Sequence, residues 1–328
     1  MAATPETPAP GKPTGLWPAA QAPAAATPAP DQSKSDLISL PSGAELDESG
    51  AAKLAAAKPV RLIVTTGPVD AGKTTLLTSL YELFQSAPVA NHLFAGSLTL
   101  PAFEKRCHLS RTASGADSPD TPRTPFGDTK YLHLAVCSGS SPKTCLDLLF
   151  TDVSGEAFER AKDSTAECER LSFLKRADHL LMLLDGEKLV RDDKRWATAQ
   201  DSTTLLQSFL DSGMLAARCM VKVVFSKYDC LLAAAADKES CETFWAATKK
   251  KFETKFGNRL ASLQFAEIAA RPKRSTALDF GHRLPELLTE WVALSPRSRL
   301  MDFEPQVNLP MRESEAFAAR HFNRLTAS

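Results

Sequence analysis

The chain has 328 residues, enough for two domains or for one large domain with tails. Its 39 basic and 39 acidic residues balance, so charge gives no ground for a nucleic-acid partner or an anionic membrane surface. The hydrophobic fraction of 43% fits a substantial core, and no run approaches the roughly 20 apolar residues of a membrane span.

Residues 1–58 are rich in Ala, Pro and Thr, a composition that buries too little apolar surface to offset the entropy of ordering. They read as a disordered, partly polyproline arm, with no basic start and apolar core of the kind a signal peptide needs. The first regular element is Val60–Thr66, short, β-branched and mostly apolar, as a buried parallel strand should be. A helical stripe follows, with Leu76, Leu77, Leu80, Leu83 and Phe84 on one face.

Between them lies Gly67-Pro68-Val69-Asp70-Ala71-Gly72-Lys73-Thr74-Thr75, which fits the phosphate-binding pattern G-x-x-x-x-G-K-[ST] in its required strand–loop–helix setting. Backbone N–H groups of Gly67, Val69, Asp70, Ala71, Gly72, Lys73, Thr74 and Thr75 are candidates to cradle phosphate oxygens. The Lys73 ammonium is placed to reach the β- and γ-phosphates, and the Thr74 hydroxyl is a candidate Mg²⁺ ligand.

Residues 87–129 break the β/α rhythm and read as a long functional or disordered loop. Tyr131–Val136 and Leu146–Thr151, separated by Ser138-Gly139-Ser140-Ser141-Pro142, read as an antiparallel hairpin, with His133 as a structural residue. Asp152-Val153-Ser154-Gly155-Glu156 closes its second strand, and residues 156–175 continue as a charged helix. Further strands are expected at His179–Asp185, Met220–Phe225 and 263–269, and further helices near 240–256 and 283–294. The expected fold is α/β: a mostly parallel sheet of about six strands with one antiparallel hairpin and helices on both faces. The ordered domain spans 59–295, followed by a tail, 296–328, with weak helical character at its end.

The seven cysteines are scattered, odd in number and without a C-x-x-C pair. They read as reduced thiols in a cytoplasmic protein rather than as metal ligands.

Three segments beyond the phosphate loop narrow the nucleotide. Asp152-x-x-Gly155 places an aspartate for Mg²⁺ and a glycine N–H for a γ-phosphate at the end of a strand. Ser226-Lys227-Tyr228-Asp229 ends another strand, where a carboxylate can accept from guanine N1–H and its 2-amino group together. Adenine offers no such donor pair. The Lys227 stem can cover the ring face, and Ala269-Ala270-Arg271 offers the Ala270 N–H to the guanine oxygen.

In this order the motifs GPVDAGKTT, DVSG, SKYD and AAR resemble the first, third, fourth and fifth boxes of the P-loop GTPases, over roughly residues 59–295. The loop is similar to the form found in translation factors, and FAGSLTL through DVSGE is similar to the bacterial double-GTPase proteins encoded near conflict and defence systems. The resemblance implies GTP or GDP and Mg²⁺ as ligands, a slow hydrolytic switch, and a protein effector or regulator. Ser226 stands where Asn or Thr is usual, Ala-Ala-Arg replaces Ser-Ala-Lys, and Glu156 stands where many members carry the Gln that orients water. Thr124 and Thr121 are the candidates for the first-switch Mg²⁺ ligand, and Arg123 for an arginine finger in cis. Two alternatives stay open: a GTP-binding interaction module with little hydrolysis, and an ATP-dependent P-loop enzyme.

Overall fold

The structure is a computed structural model that describes residues 42–108, 129–140, 145–234, 238–273 and 278–293. Seven strands form one sheet: β1 (Val60–Thr66), β2 (His92–Gly96), β3 (Lys130–Ser138), β4 (Cys145–Asp152), β5 (His179–Asp185), β6 (Met220–Ser226) and β7 (Leu263–Glu267). Their spatial order is β2-β3-β4-β1-β5-β6-β7. β4, β1, β5, β6 and β7 run parallel to one another, while β3 is antiparallel to both β2 and β4. β1 is therefore flanked by β4 and β5, and what leaves its carboxyl end sits at the centre of the sheet edge. Parallel α/β sheets bind ligands there.

Burial on both faces follows from the period-2 alternation of each strand. Leu62 and Val64 of β1, Leu180, Met182 and Leu184 of β5, and Val221, Val223 and Phe225 of β6 enter one core. The residues between them, Ile63, Leu181, Leu183 and Val224, enter the other. Each such leucine is worth about 2–5 kcal/mol against truncation to alanine. The first core is closed by α4 (Gly155–Asp163), α5 (Thr165–Arg170), α7 (Arg195–Asp211) and α9 (Lys238–Phe256). The second is closed by α2 (Lys73–Ser86), α3 (Leu100–Cys107) and α10 (Leu284–Val292). Two short helices, α6 (Gly186–Leu189) and α8 (Tyr228–Ala233), follow β5 and β6 directly. None of the described helices is long and apolar enough to cross a membrane.

Four expectations are corrected. The sheet has seven strands rather than about six, because β2 and α3 lie within the segment read as a loop. The arm read as 1–58 contains α1 (Glu48–Ala57), and its disorder does not extend through residues 42–58. The Asp47 side chain caps α1 by accepting from Gly50 N–H at 2.7 Å, Ala51 is buried, and Leu46 bridges to Tyr131 of β3. Residues 1–41 and the tail from 294 onward lie outside the described residues. The helix expected over 156–175 is divided into α4, α5 and a 3₁₀ turn at Ser172–Arg176, with Ser164 ending one helix and capping the next. Finally, Cys137 and Cys145 form a disulfide, because the hairpin register sets them directly opposite one another. The reading of seven reduced thiols fails for that pair. Cys107, Cys168, Cys219 and Cys230 take no part in a disulfide.

His133 has a structural role. Its Nδ1 accepts from the Leu98 N–H at 2.9 Å, so Nε2 carries the proton and donates to Asp147 Oδ1 at 2.7 Å. This pair ties the strap leading into α3 to the β3–β4 hairpin.

Candidate nucleotide site

The phosphate loop joins the carboxyl end of β1 to the amino end of α2. Gly67 has φ +143°, and a Cβ there would lie 2.8 Å from the Leu183 carbonyl oxygen, so only glycine fits. Gly72 has φ +91° and caps α2 without any side-chain hydrogen bond to the helix N-terminus. Asp70 also takes a left-handed φ of 65°. The first N–H groups of α2 are thus presented beside a loop wound to hold an anion.

Lys73 curls over this loop. Its Nζ donates to Gly67 O at 2.9 Å and to Pro68 O at 2.8 Å. Burial pulls its pKa down to about 8, against the opposing pull of Asp152, Asp70 and Glu159, while Lys188 lowers it further. An anion in the loop would relieve this desolvation by supplying the missing negative charge. Beside Gly67 and Pro68 a cleft of about 260 Å³ runs under α4 and α7, and Glu159, Lys162 and Lys188 line it.

The third box meets the first across backbone. A Cβ on Gly155 would lie 2.5 Å from Val69 N and 2.8 Å from Pro68 C, so this glycine lets the start of α4 close onto the phosphate loop. Ser154 caps α4 by accepting from the Glu156 N–H at 3.3 Å, which leaves Glu156 exposed in the first turn. Asp152 is 5% exposed, and its carboxylate is held by Arg106, whose Nε donates to Oδ2 at 3.0 Å. Arg106 was missed in the sequence; only the third-box aspartate it holds carried a signal.

The candidate base-reading segment, Ser226 to Asp229, starts at the end of β6. The Ser226 hydroxyl lies 2.8 Å from Ala71 O and 3.0 Å from Leu184 O, and its one proton serves one of them at a time. Serine here therefore ties the base loop to the phosphate loop. Lys227 adopts φ 50°, and its Nζ lies 3.1 Å from Asp185 and 3.0 Å from Glu187. Burial opposes its charge, but Asp185 and Glu187 outweigh that and raise its pKa. Asp229, 4% exposed in the first turn of α8, accepts from the Lys273 N–H at 3.1 Å.

A sequence profile described as Double-GTPase 2 matches residues 61–292, most of the chain. The chain belongs to the Double-GTPase 2 family. Among curated proteins none matches the sequence. Solved structures similar to this Double-GTPase 2 chain include the signal recognition particle receptor SRb-GTP/SRX complex from Chaetomium thermophilum. That match has 14% identity and a TM-score of 0.38, over 71% of this chain and 99% of that one. Another is the S. cerevisiae Ski7 GTPase-like domain, bound to GDP and inorganic phosphate. It matches at 15% identity and TM-score 0.44, over 75% of this chain and 53% of that one. The same Ski7 domain bound to GTP matches at 14% identity and TM-score 0.41, over the same shares. As a member of the Double-GTPase 2 family the chain is a P-loop GTPase, with its phosphate loop leaving the central strand β1.

In this Double-GTPase 2 chain the fifth-box arginine has partners of its own. Arg271 is paired with Glu82 of α2 and lies over the Phe280 ring at 5.0 Å, so it braces the phosphate-loop helix. The Ala270 carbonyl accepts from the Gly281 N–H at 3.1 Å. Thr121, Arg123 and Thr124 lie outside the described residues. Both donors offered to Mg²⁺, the Thr74 hydroxyl and the Asp152 carboxylate, are hard oxygens of the kind that ion takes. Among the described residues no cluster of three or more His, Cys, Asp or Glu side chains could hold a metal alone. By their chemistry the two donors fit the group.

Proposed function

We propose that this chain binds guanine nucleotide with Mg²⁺ and hydrolyses GTP slowly as a molecular switch. The observation that carries the reading is the hydroxyl bridge from Ser226 to Ala71. It links the loop that would hold phosphate to the loop carrying a buried carboxylate, Asp229, which would read the base. In this reading Gly67, Val69, Asp70, Ala71, Gly72 and Thr75 offer backbone N–H groups to the phosphates. Lys73 leaves the Gly67 and Pro68 carbonyls for phosphate oxygens, and Lys227 covers the base. Ala270 offers its N–H to the guanine oxygen. Asp229 accepts from guanine N1–H and the 2-amino group.

Thr74 and Asp152 would hold the metal, which when bound supplies charge neutralisation between the phosphates. Hydrolysis breaks the bond between the β–γ bridging oxygen and the γ-phosphorus. Water adds its oxygen to that phosphorus and gives up a proton to the released phosphate. The Gly155 N–H would face the γ-phosphate, and Glu156 stands at the next position. A carboxylate there orients water poorly beside an anion, which supports slow turnover. Loss of the γ-phosphate would release the start of α4 from the loop, and a protein effector would read that change.

A second reading, a GTP-binding interaction module with little hydrolysis, is favoured by one observation: Asp152 is already neutralised by Arg106. Calorimetric titration with GTP, GDP and ATP in the presence of Mg²⁺, followed by single-turnover phosphate release, tests both. Tight guanine binding unmatched by ATP supports the shared core. Measurable release by the native protein supports the switch; negligible release that rises in Glu156→Gln supports the module, and no change in Glu156→Gln counts against the module. Preference for ATP would overturn the guanine assignment.

A further inference from the structure

Arg106 is a charged side chain that no motif predicts, yet it is among the most thoroughly engaged in the protein. It is 9% exposed on α3 and contacts three oxygen groups. Nε donates to Asp152 Oδ2 at 3.0 Å, and one terminal nitrogen reaches the same oxygen. The other terminal nitrogen donates to Ala102 O at 3.1 Å and pairs with Glu45 Oε1 at 2.6 Å. Glu45 belongs to the segment just before α1, and its side chain is 28% exposed, against 4% for Asp152.

One guanidinium is thus shared by two carboxylates of different character. Asp152 is buried at the end of β4, and it is the carboxylate that the proposed function turns toward Mg²⁺. Glu45 lies at the rim and has no part in that function. A cation seated on Asp152 weakens the attraction of the same carboxylate for a second cation. An alternative carboxylate offers the displaced guanidinium somewhere to go without leaving its charge buried and unpaired.

We propose that Arg106 sets the metal requirement of the site: it holds Asp152 while Mg²⁺ is absent and is drawn onto Glu45 when the metal–nucleotide pair binds. Arg106 is a positioning residue acting through Asp152. The inference rests on the guanine-nucleotide reading above. It separates Arg106 from the role foreseen for Arg123, since it acts on a metal-binding carboxylate rather than on a phosphate.

The full-length chain is loaded with a fluorescent GDP analogue, and its dissociation rate is followed against Mg²⁺ concentration to obtain a metal midpoint. Arg106→Gln removes the competing cation and lowers the midpoint by roughly tenfold, the size of one charge-assisted hydrogen bond. Glu45→Gln removes the alternative partner and raises the midpoint. The double variant Arg106→Gln/Glu45→Gln matches Arg106→Gln alone, because Glu45 acts only through Arg106. A purely structural role would weaken binding in both single variants and leave no such sign reversal. If Arg106→Gln does not fold, the partly exposed Glu45→Gln still has to raise the midpoint. Unchanged midpoints, or shifts in the same direction, overturn this inference while leaving nucleotide binding intact. Absence of nucleotide binding at every Mg²⁺ concentration overturns the guanine reading and this inference with it.

Discussion

Asp229→Asn isolates the proposed base-reading interaction with little disturbance of the fold. Asp229 is almost fully buried, and the Lys273 N–H donates to its Oδ2 at 3.1 Å. Asparagine has nearly the same volume and keeps one carbonyl oxygen for that N–H, so the thermal midpoint should move little. Guanine would feel two changes. Hydrogen bonds to a charged partner contribute about 1.5–3 kcal/mol, against about 0.5–1.5 for neutral ones. The second change is worse: the new amide N–H₂ faces the guanine 2-amino group, donor against donor, at a further cost of about 1–3 kcal/mol. Together the loss is about 3–4 kcal/mol, or roughly 10²–10³ in affinity for GDP. Xanthine carries an oxygen in place of the 2-amino group, so the amide can donate to it and xanthosine diphosphate should gain affinity. Calorimetric Kd values for GDP, xanthosine diphosphate and ADP on both proteins measure this exchange. Equal GDP affinity in the two proteins, or an equal fall for GDP and xanthosine diphosphate, would refute the placement of Asp229 against the base.

Three further outcomes follow from the geometry. Gly155→Ala puts a methyl 2.5 Å from Val69 N and 2.9 Å from Val69 Cα, backbone atoms that cannot rotate away. Overpacking of this kind costs about 1–3 kcal/mol, so the variant should melt several degrees lower and bind nucleotide more weakly; an unchanged melt and Kd would show that α4 does not close on the loop. Lys73, pulled down to about 8 by burial, loses its proton in the free protein above that pH, whereas phosphate restores it. Proton uptake on nucleotide binding should therefore rise through pH 8 and approach one at about pH 9, measured by calorimetry in buffers of different ionisation enthalpy, and zero uptake sinks the assignment. His179 is buried, and its Nε2 has no hydrogen-bond partner among the described residues. Burial first, and Arg61 second, lower its pKa from 6.5 to about 4. The unfolded chain then binds more protons between those values, so stability falls as pH drops through them, by up to about 3 kcal/mol. Urea unfolding across that range should show the slope in the native protein and a flatter one in His179→Asn; equal slopes refute it.

The parts of the site that were legible in the sequence share one property: each is a short motif at the end of a strand whose neighbours declare it. Val60–Thr66 before the phosphate loop and the leucine stripe of α2 after it leave little freedom in where Lys73 and Thr74 can sit. Met220–Ser226 does the same for Asp229. Parallel strands put all such ends on one edge, so local signals suffice to bring the phosphate loop and the segment after β6 to the same edge. Even the Ser226 departure has a local logic, since a hydroxyl can do the tying to Ala71 that the position requires.

What stayed hidden depends on register and packing. Cys137 and Cys145 become partners only once the hairpin pairs Tyr131 with Thr151 and so carries the register out to its tip. β2 shows outward-facing Leu93 and Phe94 and a register break between Phe94 and Gly96, so it lacks the clean alternation that marks a strand. α1 had a readable cap in Asp47, but its Ala-rich body resembles the arm before it; the Leu46–Tyr131 bridge and the burial of Ala51 are what hold it. Arg106 belongs to this second class. Its role depends on α3 bringing it to the end of β4 and on the segment before α1 bringing Glu45 beside it, so that Glu45, Arg106 and Asp152 meet although the whole phosphate-loop unit separates the first two and the β3–β4 hairpin the last two. A motif can name the atoms that would touch a nucleotide, because their chemistry is shared by many chains. The side chains that decide how firmly those atoms are held in reserve belong to this fold, and they are found only by following each buried charge to its partner.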